Sequence, residues 1–272
     1  MPRVLACVIG AAAIAALPGT GRTEPAPEVQ TLACRPTIAC TAEIVPAGAL
    51  EIETGYAQRR ATDQVASSAL ALVKYSVTDA LQLQVGTNNL VAVQSGAATQ
   101  LFDGVYLGPK LVLHRQTDTS PAISASALVM LPTRSGADAV TRTTDADLWG
   151  YLSKDLLGIH ADFNLGLDLL SVDARPAAQF VAALSVSRDL ARGFGAMLEG
   201  YTFEGGGAYA SHDAGVLIAM SYAPTPRIMF DLGGDIALYR DARSATLFAG
   251  VTFVPYWRRS ASPGGGELSA RR

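Results

Sequence analysis

From Gly48 onward, apolar and polar positions alternate along the chain at a period of two, the signature of a β-strand with one apolar face. The stretch from Ile159 to Leu169 shows it most cleanly. Ile159, Ala161, Phe163, Leu165, Leu167 and Leu169 fall on one face; His160, Asp162, Asn164, Gly166 and Asp168 fall on the other. Leu50 to Tyr56, Leu81 to Asn88 and Ile228 to Tyr239 repeat the pattern. The spacing predicts twelve strands, over 48–58, 66–76, 80–90, 103–115, 121–132, 144–153, 159–170, 177–187, 193–204, 211–222, 226–238 and 244–254. Each is near the length of about 9–11 residues with which a tilted strand crosses a bilayer. Short connections such as Thr78-Asp79, Arg188-Asp189-Leu190 and Pro224-Thr225-Pro226 tend to alternate with longer ones. The longer set is Arg59–Val65, Val91–Phe102, Thr133–Thr143, Ser171–Pro176, Gly205–Ala210 and Arg240–Arg243. Short turns at one end and longer loops at the other are the pattern of an outer-membrane barrel, and an even strand count puts both termini on the short-turn side.

Composition separates this reading from a soluble β-sandwich. Hydrophobic residues make up 49% of the 272 and charged residues 17%, whereas a soluble domain carries about 25% charged residues. A sandwich faces water on one side of each sheet and needs more Lys and Glu there. In a barrel the apolar face meets lipid, and closure removes the free edges that lipid does not tolerate. The fold class is therefore all-β, a transmembrane antiparallel β-barrel of about twelve strands. High hydrophobicity excludes a disordered chain, and a net charge of −3 argues against a nucleic-acid partner.

The N-terminus reads as an export signal. Met1-Pro2-Arg3 carries one positive charge, Val4 to Leu17 is continuously apolar or small, and Pro18-Gly19 breaks the run. The domain plan is a signal peptide over 1–21, a periplasmic segment over 22–47, the barrel over 48–254 and a tail over 255–272. Cys7 leaves with the signal. Cys34 and Cys40 remain as an even pair in an oxidising compartment, and a local disulfide near the periplasmic mouth is expected. No metal or cofactor site is expected, since two Cys with no nearby His are too few ligands.

Val45 to Tyr56 (VPAGALEIETGY) and Lys74 to Leu83 (KYSVTDALQL) carry a resemblance. Together with Asp103 to Lys110 and the closing strand Leu247 to Phe253, they resemble the bacterial outer-membrane proteins assigned as transporters of the MetA pathway of phenol degradation. The resemblance spans roughly Val45 to Phe253. It departs at Lys74 and Ser76, where Arg and Gly are expected, at Pro109 inside a strand, and in the basic tail beyond Phe253. It implies an outer-membrane location and passage of small solutes, aromatic or hydrophobic ones among them.

The alternation puts Glu51, Glu53, Asp147, Asp162, Asp168, Glu199, Asp213, Asp231 and Asp235 on the inward face, with Lys74, Lys110, His114 and His160 as basic candidates. Nine carboxylates against two permanent cations need water, matched partners or protonation. Two readings stay open: a polar, cation-leaning conduit, or a hydrogen-bonded plug of side chains in a rigid scaffold. A third, a membrane-embedded lipid hydrolase, lacks an evident Ser nucleophile beside His160, and no G-x-S-x-G elbow occurs. No catalytic residue is assigned. Tyr56, Tyr75, Tyr106, Trp149, Tyr151, Tyr201, Tyr222, Tyr239, Tyr256 and Trp257 are expected near strand ends as interfacial girdles. The expected function is a passive pore or facilitator in the bacterial outer membrane. Its partners would be membrane lipid, the barrel-assembly machinery and a small-molecule solute.

Overall fold

The computed structural model describes residues 29–61, 64–94, 100–131, 145–172, 175–206, 213–238 and 244–257; the signal over 1–21 lies outside them. Twelve strands follow in order: β1 (Ala49–Ala61), β2 (Gln64–Ser76), β3 (Leu81–Gln94), β4 (Gln100–His114), β5 (Ala122–Leu131) and β6 (Asp145–Leu156). Then come β7 (Ile159–Val172), β8 (Arg175–Asp189), β9 (Phe194–Gly206), β10 (Asp213–Thr225), β11 (Ile228–Ala237) and β12 (Ala245–Trp257). Each pairs antiparallel with its neighbours in sequence, and β1 pairs with β12, so the sheet closes on itself. Closure gives every strand two hydrogen-bonded neighbours, the condition for a sheet in hydrocarbon.

The side chains are arranged inside-out relative to a soluble protein. Leu83, Val85, Phe163, Leu165, Phe230, Leu232 and Leu247 project outward and stay exposed. Glu51, Glu53, Lys74, Lys110, Asn164, Glu199 and Thr252 project inward and are buried. The period of two read from the sequence puts each set on its side.

Several expectations change. Residues 59–61 and 64–65, and residues 171–172 and 175–176, are strand rather than loop, because the β1–β2 and β7–β8 ladders run on to Ala61↔Gln64 and Val172↔Arg175. Continuing the ladder keeps backbone N–H and C=O groups paired up to the turn. The strand β12 runs through Trp257, past the expected strand end at 254; Tyr256 and Trp257 pair with Leu50 and Ala49 at the start of β1. Pro109 lies inside β4 across from Leu83 on β3; the β4–β5 register is the same on either side of it, and the irregularity of that ladder falls between Val112 and His114.

Four of the expected girdle aromatics face inward instead. Tyr106, Trp149 and Tyr201 are paired across the ladder with Gly86, Gly166 and Gly215. Each ring lies on its glycine, where a Cβ would collide with it. The inward Phe248 sits on Gly233 in the same way. Tyr151 is also inward, its hydroxyl 2.8 Å from Ser126 Oγ. Tyr56, Tyr75 and Tyr222 do project outward. Tyr239 lies outside the described residues, as do the side chains of Tyr256 and Trp257.

Candidate functional site

The described segment ahead of β1 does not lie outside the ring. Residues 29–45 run inside the ring, and the inward side chains hold them there. The cause is the carboxylate excess: acceptors buried in a narrow lumen need donors, and peptide N–H groups supply them.

Glu51 Oε2 accepts from Leu32 N at 2.6 Å. The two oxygens of Glu53 accept from Cys34 N and Arg35 N, both at 3.0 Å. Across the lumen, the two oxygens of Glu199 on β9 accept from Ile38 N at 2.9 Å and Ala39 N at 2.7 Å. Ser153 Oγ on β6 accepts from Ala42 N at 2.6 Å. Two lysines grip the segment through its carbonyls. Lys74 donates to Leu32 O at 2.8 Å and to Glu51 Oε1 at 2.7 Å, and pairs with Glu53. Lys110 donates to Thr41 O and lies 4.2 Å from the centre of the Tyr151 ring, within cation–π range. The three glutamates are fully buried, yet none is left as a bare charge.

Cys34 and Cys40 are joined by a disulfide, with Cα atoms 4.5 Å apart. The loop it closes bridges from Glu53 on β1 to Glu199 on β9. At the entrance, Val29 and Val45 pack with Ala49 and Val254 on the first and last strands, and Thr31 N donates to Pro226 O at 2.9 Å. Ala42 packs on Ala122 and Tyr151.

At this level the ring is filled. Every strand contributes at least one inward side chain no more than 4% exposed, from Glu51 on β1 through Asn164 on β7 to Thr252 on β12. Residues 29–45 occupy the lumen at this level.

The expected inward residues divide into three groups. Glu51, Glu53, Lys74, Lys110 and Glu199 meet the segment directly. So does Asp231, whose carboxylate lies 3.8 Å from the Arg35 guanidinium. A second group lies at the short-turn end. His160 Nδ1 is 2.7 Å from Asp155 Oδ1, and its Nε2 is 3.0 Å from Asp162 Oδ1. Ser153 Oγ in turn donates to Asp162. In this chain the carboxylate stands between serine and histidine, whereas a serine nucleophile needs histidine between itself and the acid. The described residues thus hold no activated serine here. His114 lies exposed by its turn, 2.7 Å from Ser120 Oγ.

The third group lies further toward the long-loop end. Asp147 and Asp168 face each other across the β6–β7 ladder, and Tyr201 donates to Asp235 at 2.7 Å. The side chain of Asp213 lies outside the described residues. Sequence reasoning missed Arg35, Ser153 and the peptide N–H groups of the segment. The surplus of inward carboxylates was the signal that donors had to come from elsewhere.

No family model matches the chain, and no curated protein matches it by sequence. Solved structures do match. The chain is similar to an outer membrane channel from Pseudomonas putida F1, with a TM-score of 0.55 at 15% identity over 78% of this chain and 97% of that one. It is also similar to the NanC porin, with a TM-score of 0.54 at 12% identity over 75% and 98%. At such identities the likeness speaks for architecture: this chain has the twelve-stranded closed fold of an outer-membrane β-barrel.

Proposed function

We propose that the protein is an outer-membrane channel for small molecules, held shut by its own N-terminal segment. The observation that carries this reading is how residues 32–42 are held. They cross the lumen on hydrogen bonds from inward side chains and are not part of the wall's ladder. Such a segment can leave its seat without opening the sheet. The exposed outward leucines, valines and phenylalanines would meet membrane lipid, and assembly would depend on the barrel-assembly machinery. The resemblance of Val45 to Tyr56 and its companion stretches supports small aromatic or hydrophobic solutes as cargo.

Planar-bilayer recording tests the reading. Wild type should be closed with brief openings, and a variant lacking residues 29–43 should conduct steadily, provided it still gives a heat-modifiable folded band. A folded deletion variant that never conducts would support the second reading, a non-transporting barrel with a filled lumen. The buried inward side chain that every strand contributes favours that alternative. Equal conductance from both proteins would show that the segment is not the closure.

A further inference from the structure

Arg35 reaches from the segment onto the seam between β1 and β12. Its guanidinium lies over Gly55 on β1 and Gly250 on β12, two glycines paired directly across the closing seam. A Cβ at either position would strike the guanidinium, and one at Gly250 would also meet Asp231 Oδ2. The bed is thus flat, made of peptide backbone, and shaped for a planar group.

Its occupant is loosely held. Arg35 Nη2 makes a 3.5 Å hydrogen bond to Ala249 O and stands 3.8 Å from Asp231 Oδ1. Its Nε and Nη1 are buried without a hydrogen-bond partner. Both Asp231 oxygens are likewise buried without one, on a side chain 1% exposed. Guanidinium and carboxylate ordinarily meet in a two-pronged fork, so a tethered arginine at this range uses little of what the site offers. The approach from the long-loop side passes Asp147, Asp168 and Asp235. In a narrow vestibule those carboxylates raise the local concentration of cations.

We propose that Asp231 and the backbone of Gly55 and Gly250 form a binding site for small guanidinium-bearing solutes, with Arg35 as its built-in stand-in. A free guanidinium can turn one edge to Asp231 and donate an N–H to each of its oxygens, which the tether denies Arg35. Binding therefore displaces Arg35 and removes one of the segment's holds. This last step rests on the reading of the segment as the closure; the binding site itself does not.

The test is a ligand-observed NMR titration of methylguanidinium against the full chain in detergent, with methylammonium in parallel. Arg35→Ala empties the site and should bind methylguanidinium saturably. Wild type should bind about tenfold more weakly, because a tethered occupant competes at a millimolar effective concentration. Arg35→Ala with Asp231→Asn should not bind, and Arg35→Ala with Gly250→Ala should bind poorly. Methylammonium, which is not planar, should bind more weakly than methylguanidinium throughout. Arg35→Gln replaces Arg35→Ala if the latter does not give the folded band. Equal binding with and without Asp231, or equal binding by wild type and Arg35→Ala, overturns the proposal. Binding as expected with no conductance from any variant would leave the site standing and refute the channel.

Discussion

Replacing Glu199 with Ala removes one carboxylate and two hydrogen bonds at once. Ile38 N and Ala39 N lose the acceptors now at 2.9 and 2.7 Å, and Ala39 is 1% exposed, so water does not reach it in the seated state. A buried N–H left without a partner costs about 1–3 kcal/mol. Two such groups cost roughly 2–6 kcal/mol, the lower end applying if water enters the vacated volume. The seated form, and not the wall, bears this cost, because the β8–β9 and β9–β10 ladders use backbone groups alone. At 1.4 kcal/mol per decade, the unseated fraction should rise by between ~30-fold and ~10⁴-fold. Amide hydrogen exchange reads this directly. Ile38 and Ala39 should lose protection by that factor, while amides of β7 and β8 keep theirs. Open probability in a planar bilayer should rise in the same variant. Unchanged exchange at Ile38 and Ala39 would refute the claim that Glu199 holds the segment, whatever the conductance shows.

Other outcomes follow from the same geometry. Replacing both Cys34 and Cys40 with Ser should leave the heat-modifiable barrel intact, since the loop they close lies outside the strand ladder; loss of the folded band would contradict this. Gly166→Ala should displace the Trp149 ring, three of whose atoms lie 2.9 Å from the new Cβ. The cost of about 1–3 kcal/mol for overpacking should appear as a lower unfolding temperature with a shifted tryptophan emission, and an unaltered melt would count against the ring-on-glycine packing. Asp147→Asn together with Asp168→Asn should reduce cation preference in an opened variant, measured as reversal potential under a salt gradient. An unchanged reversal potential would remove those carboxylates from the path.

Strand number and facing were legible because a two-residue period survives in any single stretch of chain. From Ile159 to Leu169 and from Ile228 to Leu238 each apolar position faces out without knowledge of any neighbour. The inward aromatics were not legible in this way. Tyr106 opposite Gly86, or Trp149 opposite Gly166, is a statement about register, and register joins residues on two strands. The seated segment was the least legible of all. It has no periodicity, and the acceptor of Ala39 N stands 160 residues away. What the sequence did carry was an imbalance, since Glu51 and Glu53 share one face of β1 with only Lys74 close by to offset them. Burial turns that imbalance into a demand for donors, and Leu32, Cys34 and Arg35 are the nearest chain able to meet it.

The pairing of Gly55 with Gly250 has a bearing on the order of biogenesis. One glycine belongs to the first strand and the other to the last, so the bed under Arg35 does not exist until the two ends of the sheet have met. Glu53 and Glu199 are likewise eight strands apart in synthesis, and both must be present before the disulfide loop has anything to span. Threading the segment is therefore a terminal event, and it certifies a finished cylinder. An unfinished sheet leaves those N–H groups without the acceptors that Glu53 and Glu199 supply from opposite sides; a completed one provides both.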